Sequence, residues 1–160
     1  MKAKHAAALC AFALVVLLNP ATLSAHCQIP CGIFGDEARF DAMMEDVTTI
    51  EKSMKQIVEL SAAETPDWNQ IVRWVMNKED HADLLTETVT HYFMAQRIKP
   101  KPADSEEHAK YVHELTLLHK IMVHAMKAKQ TTDQEQVETL RTLIGQLKKS
   151  YLGEHSHPAS

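Results

Sequence analysis

The sequence predicts an all-α protein: an antiparallel up-down four-helix bundle carried behind a short N-terminal hook. Three observations predict it. Four stretches between about residues 36 and 153 place apolar side chains every three or four positions, the spacing that gathers them on one face of a helix. Strand patterning, in which apolar and polar residues alternate, is scarce over the same length. The connections are short, and short connections force neighbouring helices to run in opposite directions.

Residues 1–25 stand outside the bundle. Lys2 and Lys4 give a cationic start, an apolar run extends from about Ala6 to Leu18, Asn19-Pro20 breaks it, and Leu23-Ser24-Ala25 offers a cleavage site. These are the three regions of a secretory signal peptide. The run is too short to span a bilayer comfortably. Cleavage after Ala25 is expected, with Ala21 as the alternative, and it makes His26 the new N-terminus. A lipoprotein reading needs a cysteine where His26 stands.

Residues 26–35 form the hook, opening His26-Cys27-Gln28-Ile29-Pro30-Cys31-Gly32. The first helix is expected from about Asp36 to Leu60, with Phe40, Met43, Met44, Val47, Ile50, Met54, Ile57 and Val58 as its stripe. The second opens at Thr65-Pro66, a cap followed by proline at the first helical position. It carries Trp68, Ile71, Val72, Val75, Leu85, Val89, Tyr92 and Phe93 and ends near Lys99-Pro100-Lys101-Pro102, and the threonines at 86, 88 and 90 mark a bend. The third opens at Asp104 with Glu107 as a capping box and carries Tyr111, Leu115, Leu118, Met122 and Met126. The fourth opens at Thr132 with Glu135, carries Val137, Leu140, Ile144, Leu147 and Tyr151, and stops at Gly153. The bundle therefore occupies 36–153, and 154–160 reads as a disordered tail.

Removing the first 25 of 160 residues leaves 135, a length that suits one domain with a real core. The leader takes two of the 17 Lys and Arg and none of the 21 Asp and Glu, so the net charge of −4 becomes −6 with histidine neutral. No basic patch argues for nucleic acid. An acidic chain repels a small anion at long range, so an anionic substrate needs local lysines or a metal to attract it.

Cys10 leaves with the leader, and the mature chain keeps Cys27 and Cys31. In an exported protein the plain expectation for such a pair is a disulfide. The neighbours favour a metal. Nickel(II) prefers a square plane of nitrogen and sulfur donors. Two thiolates, the terminal amine and the peptide nitrogen of Cys27 would supply one from six residues. Pro30 tightens the turn that returns Cys31, Gly32 permits close approach, and the His26 imidazole remains free for an axial position. Thiolate and deprotonated amide donate strongly and stabilise a trivalent metal. A redox role therefore fits better than a structural one, for which zinc with four side-chain ligands is usual.

Other motifs carry less. A thioredoxin-like reading lacks its alternating strands and helices, and a c-type haem site needs a different cysteine spacing. His113-Glu114 begins like a zincin motif, but Leu117 stands where its second histidine belongs. His119 and His124 are five apart and point to different helix faces. With His81, His91 and His108 they read as surface or satisfied core residues, and His155 and His157 belong to the tail. Lys78 and Lys99 read as an ordinary solvated face, with guidance of an anion as the sharper alternative.

At this point the residues match a known pattern. His-Cys-Gln-Ile-Pro-Cys-Gly-Ile-Phe resembles the hook His-Cys-x-x-Pro-Cys-Gly-x-Tyr of the nickel-containing superoxide dismutases. Arg73-Trp74-Val75, Asn77-Lys78-Glu79 and His91-Tyr92-Phe93 are similar to the second helix of that family. The resemblance implies a homohexamer of four-helix subunits, one nickel ion per subunit, and conversion of superoxide to oxygen and hydrogen peroxide by Ni(III)/Ni(II) cycling. It implies as ligands His26 through amine and imidazole, Cys27 through amide nitrogen and thiolate, and Cys31 through thiolate, with Pro30 shaping the hook by a cis bond. Tyr92 takes the place of a tyrosine near the substrate pocket. Asp41, across a one-residue gap, takes that of a carboxylate orienting the axial imidazole.

Two positions depart from the family pattern. Phe34 replaces the hook tyrosine, removing a hydroxyl near the substrate without touching a ligand, and Gln28 replaces a common Asp. Because the amine ligand exists only after the leader is removed, export and metal competence are linked. The expected protein is thus a secreted or periplasmic enzyme with no stable membrane association after cleavage. The alternative is an exported helical metal-binding or stress-adaptor protein closed by a Cys27–Cys31 disulfide.

Overall fold

The computed structural model describes residues 35–153. Among them lie α1 (Asp36–Ser61), α2 (Trp68–Glu87) with a π-helical continuation (Thr88–Arg97), α3 (His108–Gln130) and α4 (Glu135–Leu152), with no strand. Each helix packs on its sequence neighbour, and α1 closes the ring on α4. The cross-links run in opposite senses along each pair. Tyr92, His81 and Asn77 reach Asp36, Asp46 and Ser53 in turn, and Tyr151, Lys148 and Arg141 reach Asp36, Asp41 and Glu51. This is the antiparallel bundle expected, and the tail lies outside the described residues.

The core is one continuous cluster to which every helix contributes. Phe40, Met43, Val47, Ile50 and Met54 come from α1, Leu85 from α2, and Val89 and Phe93 from the π segment. The α4 stripe of Val137, Leu140, Ile144 and Leu147 is buried as expected. In α3 the buried face is Leu117, Leu118, Ile121, Ala125 and Ala128, so Met126 is turned outward. Small alanines made that face hard to see from apolar spacing. Val58, Trp68 and Val72 also turn out to be exposed, because α1 and α2 outrun the packing at their linked ends. No helix among the described residues is long and apolar enough to cross a membrane.

The helix ends differ from their sequence signals in three places. α2 is capped by Asp67, whose carboxylate accepts from the Gln70 amide at 3.2 Å, two residues beyond Thr65. α3 begins only at His108, because the Glu107 carboxylate is drawn to Lys101 and makes no capping box. Before α4, Asp133 rather than Thr132 accepts the Glu135 amide at 3.0 Å. Gly153 ends α4 as expected, with φ of 80° that glycine adopts freely.

Candidate metal centre and its support at one end of the bundle

The start of α1, the π segment, the start of α3 and the end of α4 meet at one end of the bundle, and the hook joins the bundle there. The threonines expected to mark a bend coincide with the change from α to π. Thr86 Oγ1 donates to the Ala82 carbonyl and Thr90 Oγ1 to the Thr86 carbonyl, both at 2.9 Å. The Ile98 amide then reaches back five residues to the Phe93 carbonyl at 2.8 Å. In an α-helix two side chains five apart diverge, whereas the i→i+5 register brings them onto one face. Tyr92 and Arg97 are five apart and act together.

Both act on Asp36. The Tyr92 hydroxyl donates to Asp36 Oδ1, Arg97 donates to the same oxygen through Nε at 2.8 Å and Nη2 at 2.5 Å, and the Tyr151 hydroxyl donates to Oδ2 at 2.7 Å. The guanidinium carbons of Arg39 and Arg97 lie 5.4 and 5.3 Å from the Tyr92 ring centre, within cation–π range. Arg39 Nε is buried without a hydrogen-bond partner among the described residues. Beneath them Phe93 stacks against Phe40, Tyr92 and Tyr151 at 4.8, 5.2 and 5.6 Å.

This clasp sets its own protonation. Burial pushes the Asp36 carboxyl upward, but the bonds from Tyr92, Tyr151 and Arg97 outweigh it and hold it below the ordinary carboxylate range. Burial, reinforced by the Asp36 charge, pushes both tyrosine hydroxyls above their ordinary range. The hydrogen bond to Asp36 raises Arg97 further. At neutral pH the carboxylate is ionised and both phenols keep their protons.

Of the site residues expected from sequence, His26, Cys27, Cys31 and Phe34 lie outside the described residues. Tyr92 is buried in the clasp. Asp41 is on the outer side of α1, where Lys148 approaches to 3.2 Å. Asp36, Arg97 and Tyr151 were not singled out by sequence, since they are joined only by the fold. Lys78, expected on a solvated face, is instead buried. Its ammonium donates to the carbonyls of Ala128 at 3.0 Å, Lys129, and Thr131 at 3.2 Å, meeting the unpaired acceptors at the end of α3. His81 and His124 are satisfied by Asp46 and Gln136, at 2.8 and 2.9 Å.

A cleft of about 220 Å³ opens beside the clasp, lined among others by Arg97, Lys99, Lys101, Lys110, Glu107 and Glu114. Cations outnumber carboxylates there, against the net charge of the chain. Among the described residues no group of three or more His, Cys, Asp or Glu comes together to hold a metal. The fit to nickel therefore rests on the donor chemistry of His26, Cys27 and Cys31, whose sulfur and nitrogen atoms are those a square-planar ion favours.

The described bundle carries no metal cage, and the sulfur and nitrogen donors expected from sequence belong to the segment that precedes it. The family model described as nickel-containing superoxide dismutase matches residues 21–155, a span that includes the hook, and the chain belongs to that family. The family is one of oxidoreductases that act on superoxide. No curated protein and no solved structure matched the chain.

Proposed function

We propose that the mature chain binds one nickel ion per subunit through the amine and imidazole of His26, the amide nitrogen and thiolate of Cys27, and the thiolate of Cys31. There it disproportionates superoxide by Ni(III)/Ni(II) cycling. The observation that carries the reading is the family match across the hook and the bundle together. When bound, nickel supplies a one-electron couple: one superoxide gives up an electron and leaves as oxygen, and a second takes that electron with two protons and leaves as hydrogen peroxide. The chain's own residues hold and approach that chemistry. Lys99, lining the cleft beside the clasp, would put local positive charge on an otherwise acidic subunit, while Lys110 is met there by Glu114 at 3.8 Å.

Removal of residues 1–25 by signal peptidase would free the His26 amine, making export the activating step and the secreted or periplasmic space the working place. Assembly as a homohexamer is part of the same reading. Trp68, Val72 and Met76, one turn apart on α2 and 68, 55 and 59% exposed, support a contact face between subunits. Native mass spectrometry with a superoxide assay tests the proposal. A chain beginning at His26, with bound nickel and activity that nickel restores to the apo form, is expected. A metal-free chain two protons light, with Cys27 and Cys31 joined, would overturn the proposal.

A further inference from the structure

The resemblance puts a tyrosine near the substrate at position 92, but here the hydroxyl of that tyrosine is already spoken for. Its hydrogen is donated to Asp36, and the guanidinium groups of Arg39 and Arg97 lie over its ring. We propose that Asp36 is the residue that positions the hook on the bundle, and that Tyr92, Tyr151 and Arg97 serve the reaction through Asp36 rather than by giving a proton to the substrate. The inference rests on the nickel dismutase reading.

Position along the chain makes Asp36 suited to this. It is the first residue of α1, and Gly35 before it has φ of 78°, a conformation glycine adopts without strain. Five residues of extended chain reach at most about 18 Å, so the place of Asp36 bounds how far Cys31 can lie from this end of the bundle. The pin is threefold and charge-assisted, and it uses both carboxylate oxygens. Arg97 and Tyr92 come from the π segment and Tyr151 from α4. A shift of either element would therefore move the base of the hook. A metal site held this way loses less freedom on loading, because its anchor is ordered beforehand.

The two roles for Tyr92 predict different numbers. Loss of a group that itself transfers a proton costs roughly 10²–10⁴-fold in rate. It should then leave Tyr151→Phe harmless. If the clasp acts as a unit, Tyr92→Phe and Tyr151→Phe each slow superoxide removal by about tenfold or less, well below the roughly 10²-fold cost of a 1 Å misplacement. Tyr92→Phe then has no further effect once Asp36 is gone.

The experiment is a double-mutant cycle on the nickel-loaded mature protein with Tyr92→Phe, Asp36→Ala and both together. It reads the rate constant for superoxide removal, nickel content, and the electron paramagnetic resonance of the oxidised nickel. Expected are full nickel content, a broadened resonance in Asp36→Ala as the hook takes several positions, and no additional loss in the double variant. Asp36→Leu, which fills the space but accepts no hydrogen bond, serves the same cycle if the alanine variant does not fold. A Tyr92→Phe loss that persists in full without Asp36, or an unchanged resonance and rate in the Asp36 variant, overturns the inference. Failure of the wild-type protein to bind nickel or remove superoxide would instead overturn the parent reading, and is seen before any variant is made.

Discussion

Replacing Tyr151 by phenylalanine removes one hydroxyl and leaves the ring packed against Phe40 and Phe93, at 5.9 and 5.6 Å. Asp36 Oδ2 loses the donor at 2.7 Å. A hydrogen bond to a charged group contributes about 1.5–3 kcal/mol, and partial exposure of Asp36 puts this one near the lower end, about 1.5–2 kcal/mol. For a domain of this size each kcal/mol moves the thermal midpoint by about 4 °C, so a fall of about 6–8 °C is expected. The loss should also depend on pH. Asp36 is held below its ordinary value, so its contribution is present above about pH 4 and disappears as pH falls through the folded-state value. Tyr151 is raised, so its contribution is present below about pH 10 and disappears as pH rises through the folded-state value. Denaturant unfolding of the nickel-free mature chain from pH 3 to 11, by circular dichroism, reads the difference between wild type and variant. A plateau between about pH 5 and 9 that shrinks on both sides is expected. A difference below about 0.5 kcal/mol, or one that ignores pH throughout, would refute the clasp as a charge-assisted unit.

Phe93→Ala empties the centre of the aromatic cluster, and at 0% exposure it should cost about 3–5 kcal/mol in denaturant unfolding. Stripping nickel with a chelator should abolish superoxide removal while leaving the far-ultraviolet helical signal nearly unchanged, because the buried cluster is assembled from side chains alone. Phe34→Tyr should keep full nickel content by metal analysis, since a ring hydroxyl adds no ligand to the proposed set. A change in superoxide removal of no more than about tenfold is expected, the scale of a hydrogen bond worth about 1 kcal/mol.

The parts of this protein legible in sequence are those written in consecutive residues. The hook sets its donors within a few positions, and the bundle repeats its apolar spacing over whole helices. Gly153 as a stop and an irregularity at Thr86 to Thr90, expected as a bend, were readable for the same reason. The clasp was not. Asp36 and Arg97 are 61 positions apart and Asp36 and Tyr151 are 115 apart, so no local pattern joins them. Tyr92 and Arg97 are further disguised, because residues five apart face the same way only in a π turn, and threonines do not announce one. Lys78 was misread because a lysine within a polar stretch usually faces water, and only the end of α3 supplies the carbonyls that bury it.

The absence of a metal-holding group among the described residues of the bundle bears on the order in which the site is made. In small zinc domains, binding the metal is what folds the chain, so metal and fold arrive together. Here the apolar cluster described for the four helices lies among residues 40–147, and the buried polar residues Ser53, Lys78 and Glu114 find partners within the bundle, whereas Arg39 Nε does not. Ser53 bonds Thr49 and Asn77, Lys78 caps α3, and Glu114 accepts from Ser150 at 3.0 Å. Folding can therefore run to completion on apolar burial, and the clasp on Asp36 forms with it. On the proposed reading the amine of His26 appears separately, by cleavage of the leader. The metal would then meet a bundle already folded and anchored at Asp36. Nickel should consequently raise the stability of the hook far more than that of the bundle. Hydrogen exchange before and after loading measures this: protection gained in residues 26–34 with little change across 40–147 supports the order, and equal gains throughout would reverse it.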